Sequence, residues 1–234
     1  MADNVKAKRQ YDSPRRQAQA EATRRDILAT AQRLFEANGY PATTVAEIAK
    51  EAGVALKTVY LAFQSKSNLL RTLWNLLLRG DETDRPVAER HWYLDVLAEQ
   101  DPEQQLRLNA RNSANGKQRI SAILEVIRTG ATVDPDLAPL WQRIQSDYHA
   151  NQHAIVEQLH QRGHLRPELD VQHATDILWT INHPNTWRLL VVDRGWTPDQ
   201  YEQWIADTAC AQLLRPTQSN RSQRRKRTAV RSND

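Results

Sequence analysis

Apolar positions along this chain recur three and four residues apart, the spacing of one face of an α-helix. Between Thr23 and Asn38 the stripe is Ile27, Leu28, Ala31, Leu34 and Phe35, and Gly39 ends it. The stretch 43–66, TTVAEIAKEAGVALKTVYLAFQSK, reads as two short helices joined by a tight turn. From Ser67 a longer helix follows, with Leu69, Leu70, Leu73, Trp74 and Leu77 on one side and Gly80 as its stop. Further on, Leu106, Ala110, Ser113, Ile120, Leu124 and Ile127 mark a long amphipathic helix between Asp101 and Thr129, its stripe broken near Lys117. Leu137, Trp141, Ile144, Tyr148, Ile155 and Leu159 mark another from Pro135 to Gln161. A third runs from Asp170 through Val171, Ala174, Leu178 and Ile181 to a break at His183-Pro184, and resumes through Trp187, Leu190 and Val191 to Gly195. The last covers Pro198 to Leu214 with Tyr201, Ile205, Thr208 and Ala211.

Helix starts are written into the body as a capping side chain beside a proline suited to a first turn: Asp84-Arg85-Pro86, Asp101-Pro102, Asp134-Pro135 and Thr197-Pro198. No strict alternation of apolar and polar residues extends far enough for a strand, so the fold class is all-α. No internal repeat is present.

Within 43–66 the residues at the turn have separate jobs. Ala49 is small, so the second helix can cross the first closely. Gly53 takes the left-handed conformation that closes a helix without penalty. Val59, with Ile48 and Phe63, buries the second helix against the first. The second helix, about Leu56 to Phe63, is then free to lie in a DNA major groove with Leu56, Lys57, Thr58, Tyr60 and Leu61 outward. An ordinary helical hairpin is the alternative. Thr43 or Thr44 caps the first of the two helices, with Glu47 at capping-box distance from Thr44. A helix N-terminus presents free N–H groups suited to a phosphate.

These residues also carry a resemblance. From Thr23 to Leu70 the patterns LF-x-x-x-GY-x-x-TT, IA-x-x-AGV and TVY-x-x-F-x-SK-x-x-LL resemble the DNA-binding domain of TetR-family (tetracycline-repressor-type) transcriptional regulators, over about a fifth of the chain. The resemblance implies an N-terminal three-helix helix-turn-helix domain and a larger helical domain for ligand binding and dimerisation. It implies DNA contacts by Thr43, Thr44, Ala55, Leu56, Lys57, Thr58, Tyr60, Leu61 and Lys66. Lys57 and Thr58 would reach base edges, while Tyr60 and Lys66 would meet phosphate. The chemistry permits this: Lys donates to guanine, a Thr methyl packs on thymine, and a phenol donates to a phosphate oxygen. Two positions depart from the family pattern, which often has Ser where this chain has Ala55 and a small residue where it has Lys57. Leu56 and Leu61 are apolar on a face meant for DNA, which fits thymine methyl contacts or weak specificity. The resemblance further implies a homodimer through about 170–214 and a lever role for the helix after Ser67.

Composition sharpens this division. The 234 residues are 40% hydrophobic with net charge +4. Residues 1–66 hold 11 basic and 7 acidic side chains, 67–214 hold 14 and 20, and 215–234 hold 7 and 1. Basic ends meet phosphates and an acidic body is held away from them. The expected organisation is a disordered basic arm over 1–20, a DNA-binding domain over 21–66, a ligand-binding and dimerisation domain over 67–214, and a disordered basic tail over 215–234 around Arg224-Arg225-Lys226-Arg227. Arm and tail are either auxiliary DNA contacts or solvated extensions. No apolar run is long enough to span a membrane and no signal peptide is read, so a cytoplasmic bacterial protein is expected. The single Cys210 allows no intrachain disulfide and suits a reducing compartment.

No catalytic constellation is present: no P-loop, G-x-S-x-G, H-E-x-x-H or paired-cysteine motif. His149, His153 and Glu157 share a helix face at metal-ligand spacing, but a solvated face is the more frequent outcome, and no metal or other cofactor is assigned. Seven tryptophans are many for this length. They read as core and interface packing, or as walls of a pocket for an apolar or aromatic effector. The pocket candidates are Trp74, Trp92, Arg111, Leu124, Trp141, Tyr148, Trp179 and His183, with Asn182 as a further polar contact. The preferred reading is a ligand-responsive, sequence-specific repressor that binds double-stranded DNA as a dimer and is not an enzyme. The alternatives are an enzyme or small-molecule binding protein with an incidental helix-turn-helix, and a ligand-independent architectural DNA-binder.

Overall fold

The computed structural model describes residues 14–79 and 86–216, which contain helices and turns, one isolated β-bridge and no strand. The chain divides into two compact units, Met1–Leu73 and Trp74–Asp234.

In the first unit, α1 (Pro14–Ala42) is interrupted at Gly39, whose φ of 75° and ψ of 175° break the helical path where the stripe predicts its end. Its start differs from expectation. Residues 14–20, assigned above to a disordered arm, are helical, because Arg- and Gln-rich sequence without Gly favours continuing a turn already nucleated by the apolar stripe. The remainder of the arm lies outside the described residues. α2 (Val45–Glu51) starts at Thr44, whose hydroxyl accepts from the Glu47 N–H at 3.1 Å. Gly53 takes φ 67° at the turn, and the Val54 N–H bonds to the Ala49 carbonyl at 3.0 Å. α3 (Leu56–Phe63) follows. It ends at Gln64, which carries φ 67° without being glycine. Ser65 then caps α4 (Lys66–Arg79), its hydroxyl accepting from the Asn68 N–H at 3.0 Å. The core is the α1 stripe with Tyr40, Ile48, Ala49, Val59 and Phe63. Phe35 and Tyr40 stack at 5.9 Å.

The second unit holds a 3-10 turn (Val87–Glu89), α5 (His91–Ala98), α6 (Pro102–Gly130), α7 (Ala138–Gln161), α8 (Val171–Ile181), the short α9 (Pro184–Trp187) continued by a π turn over Arg188–Val192, and α10 (Pro198–Leu213). α6 packs along α10 and against α5 and α7, while α8 packs on α7 and α10. Asp101 caps α6 through the Gln104 N–H at 2.8 Å, and Thr197 with Gln200 forms a full capping box at α10. The Asp134-Pro135 start is corrected. Asp134 instead accepts from the Asp136 N–H at 2.9 Å in a turn, buried Leu137 anchors that turn, and Pro139 supplies the first-turn proline of α7. The Asp84-Arg85 signal and Gly80 lie outside the described residues.

α5 was not legible. It is one short helix with no capping hydrogen bond from Arg90, and burial of Tyr93 and Val96 holds it in place. The Tyr93 hydroxyl donates to the Asn151 carbonyl at 2.7 Å. Leu165 and Leu214 form an antiparallel bridge beside Gly163, and Arg215 donates to the carbonyls of His164 and Leu165. Arg215, read above as the first residue of a disordered tail, is therefore docked on the body. Residues 217–234, with their basic run, lie outside the described residues.

Candidate nucleic-acid interface and buried polar seam

The helix-turn-helix is assembled by polar side chains bonding its own backbone. Thr43 is fully buried, and its hydroxyl lies 2.8 Å from the Gly39 carbonyl and 3.1 Å from that of Leu34. This corrects its expected DNA contact: a side chain with no exposed surface cannot touch a duplex. Lys66 changes meaning in the same way. Its Nζ donates to the carbonyls of Tyr40 at 2.8 Å and Thr43 at 2.9 Å, and it sits 4.0 Å from the Tyr40 ring centroid. The ammonium is held on the exit of α1 rather than directed at phosphate. Arg24 ties α1 to α3, donating to the Ala62 carbonyl at 2.9 Å with its guanidinium 4.3 Å from the Phe63 ring centroid.

With these groups engaged inward, one face of α3 is left open. Val59 and Phe63 are buried, whereas Leu56, Lys57, Tyr60 and Leu61 are exposed, Leu61 at 76%. Thr58 is half-buried. Ala55 is the exposed N-cap and offers no side-chain bond, so the first N–H groups of α3 lack a local side-chain acceptor. Thr44, at the start of α2, is also exposed. The face therefore combines one amine, two hydroxyls and two leucines around a helix terminus of positive partial charge.

The body contains a second polar arrangement. Gln105, Asn109, Ser113 and Lys117 fall four apart on α6 and line one inward seam. Gln105 donates to Gln158 at 2.8 Å, and Asn109 to Gln152 at 3.1 Å. Ser113 donates to Asn182 Oδ1 at 2.7 Å. Lys117 donates to that same oxygen at 2.8 Å, to Ser113, and more distantly to the Tyr148 hydroxyl at 3.4 Å. The Tyr148 hydroxyl donates to the Asn182 carbonyl. Lys117 is only 4% exposed, and among the described residues no carboxylate pairs with it. Burial lowers its pKa well below the usual lysine range and raises those of Tyr148 and Tyr201. Burial, and then the charge of Lys117, lowers that of His183.

Of the eight pocket candidates, Tyr148, Trp179 and His183 surround this seam: Trp179 packs edge-on to His183 at 4.7 Å, and His183 bonds Gln145 at 3.2 Å. Trp92 lies instead against the Tyr93–Leu106 core. Arg111 is corrected outright, since its side chain is 64% exposed and pairs with Glu202 at 3.3 Å on the surface. Trp74 and Leu124 are buried and Trp141 is half-buried; no hydrogen bond or ring contact among the described residues joins them to the seam. Sequence reasoning missed Lys117, Asn109 and Gln152. The signal was the break near Lys117 in the apolar stripe. The His149, His153 and Glu157 face gathers no metal site among the described residues, and the two histidines lie instead against Asp176 and Thr175, each at 3.3 Å. No helix among the described residues is long and apolar enough to cross a membrane.

Residues 27–73 match the family model of bacterial regulatory proteins, tetR family. The HTH-type transcriptional regulator TtgR of Pseudomonas putida is 28% identical over 163 residues, covering 68% of this chain and 76% of its own. AcrR of Shigella flexneri, also an HTH-type transcriptional regulator, is 43% identical over 58 residues, 25% of this chain and 27% of its own. The crystal structure of NalD, the secondary repressor of the MexAB-OprM multidrug efflux pump in Pseudomonas aeruginosa, superposes with a TM-score of 0.66 at 22% identity, over 86% of this chain and all of NalD.

Proposed function

From the premise that this chain belongs to the tetR family of bacterial regulatory proteins and is a DNA-binding transcriptional regulator, we propose that it represses by binding a palindromic operator as a homodimer and releases it when a small effector occupies the body. The observation that carries the reading is α3: an open face of Leu56, Lys57, Thr58, Tyr60 and Leu61 over buried Val59 and Phe63. In this reading Lys57 and Thr58 address base edges, the leucines lie on thymine methyls, and Tyr60, Thr44 and the uncapped start of α3 hold phosphates. One eight-residue helix reads few base pairs, so two copies about 34 Å apart are needed for a specific site.

The proposed dimer surface is 170–214. Leu189, Val192 and Trp204 are exposed on that stretch, which favours a partner there. The effector acts by binding one conformation of the body better than the other, and α4, the helix shared by the two units, is the covalent connection through which the change reaches α3. Selection of DNA from a random duplex library at near-physiological salt tests the proposal. One enriched palindrome is the expected result, and recovery of no sequence above background by folded protein overturns it.

A further inference from the structure

The seam in the body is unusual in what it leaves unmet. Lys117 is a buried amine met, among the described residues, only by the neutral oxygens of Ser113, Asn182 and Tyr148. The Tyr201 side chain, fully buried on α10, has a hydroxyl with no hydrogen-bond partner among the described residues. Lys117 Nζ lies 5.4 Å from the Tyr201 ring centroid and 5.7 Å from that of Tyr148, so the cation and the unpartnered phenol share one locality. A buried amine whose charged form lacks a counter-ion and a buried donor without an acceptor are both costly. Both deficits have one sign, since each is relieved by an acceptor and the first specifically by an anion. The neighbouring groups are aromatic. Trp187 packs edge-on to Tyr201 at 4.9 Å, and Trp179 does so to His183, next to Asn182.

We propose that the effector of this regulator is an aromatic carboxylate whose carboxyl group pairs with Lys117 and accepts from the Tyr201 hydroxyl, with the aromatic side chains packing on its ring. The inference deepens the effector reading above and rests on it. It follows from geometry: α6 supplies the cation, α10 the second donor, and Asn182 after α8 orients the lysine. The charged and titratable groups facing Lys117 are Tyr148 from α7, Tyr201 from α10 and His183 from the α8–α9 junction; none is an acid that is ionised at neutral pH. Burial disfavours the charged form of Lys117, and a carboxylate bound beside it would offset that penalty.

Calorimetry on the full-length protein at pH 7.5 tests this with benzoate, salicylate and cinnamate, each beside its neutral amide. The expected result is at least one carboxylate binding tenfold or more tightly than its amide. Lys117→Met should weaken that carboxylate at least thirtyfold and leave amide binding within threefold, and Tyr201→Phe should weaken it three- to tenfold. Absence of submillimolar binding by any of the three acids, equal affinity for acid and amide, or unchanged carboxylate affinity in Lys117→Met overturns the inference. The comparison of acid with amide uses the unmodified protein, so the test does not depend on either variant folding. A palindrome recovered in DNA selection together with failure of every acid sinks this inference alone. Carboxylate binding without sequence-specific DNA binding sinks the operator reading instead.

Discussion

Two lysines define the contrast between the halves of this protein. Lys66, in the helix-turn-helix unit, places its amine on two backbone carbonyls and an aromatic face, and remains partly solvated. Lys117, in the body, is buried against side-chain oxygens, with no acid among the described residues to balance it. The first is a clamp: carbonyls at the end of α1 need donors, and the ammonium provides them while keeping contact with water. The second is an amine whose charged form is desolvated, with no acid among the described residues to offset the cost. A reading domain must hold α3 rigidly, so its polar groups are satisfied internally. If the body binds an effector as proposed, polar groups left unsatisfied there are available to it.

The largest expected effect tests whether the reading unit depends on its apolar core. Phe35→Ala should destabilise it by about 3–5 kcal/mol, because a fully buried ring stacked on Tyr40 leaves a cavity that one short helical layer cannot close. Chemical denaturation followed by circular dichroism reads this directly, and a loss below about 1 kcal/mol would contradict the packing described.

The contrast itself is broken or kept by making one substitution at both lysines. Lys66→Met should cost about 1.5–3 kcal/mol, since two carbonyls lose a charged donor. Lys117→Met should have the opposite sign and raise the melting temperature, because a buried uncompensated amine is replaced by an apolar chain of similar length. The sign extends to pH. With its folded pKa depressed, Lys117 makes stability rise as pH climbs towards the unfolded lysine value of about 10.4. Lys117→Met should flatten that alkaline rise. Destabilisation by both variants would dissolve the distinction.

On the DNA side, Lys57→Ala should weaken operator binding by about 1–3 kcal/mol and relax preference at one base position, as loss of a base contact does. Fluorescence anisotropy with the selected palindrome and its single-base variants measures both. Uniform weakening across all sequences would reassign Lys57 to phosphate.

The smallest effect expected is the pH response of His183. Burial first, and the charge of Lys117 second, hold its pKa below the ordinary value of about 6.5. The unfolded chain then binds the extra proton more readily, so stability is fully present above about pH 6.5 and falls as the pH drops below it. Denaturant midpoints at pH 5, 6 and 7 should show this slope, and His183→Gln should reduce it.

The helix-turn-helix was readable because its information is local. A capping Thr44, Gly53 at a left-handed turn, and Val59 and Phe63 on one face of α3 act over a few residues each, and adjacent elements meet through short connections. The long helices of the body were readable for the same reason, through their apolar period and the caps at Asp101 and Thr197. Tertiary contact decided what periodicity does not encode. α5 exists because Tyr93 and Val96 find a core, and Arg215 is ordered because it bonds carbonyls 50 residues away and more. Exposure could not be read from residue type either. Thr43 and Lys66 look like phosphate contacts until Leu34, Gly39 and Tyr40 are seen to take their hydrogen bonds, and Arg111 looks like a pocket residue until it reaches Glu202. The sequence by itself determined the helices, their caps and the reading motif, because those follow from interactions a few residues apart. Only the tertiary structure decided the seam around Lys117, because whether a polar side chain is solvated, paired or left in want of a partner depends on residues from α7, α8 and α10 that pack against it.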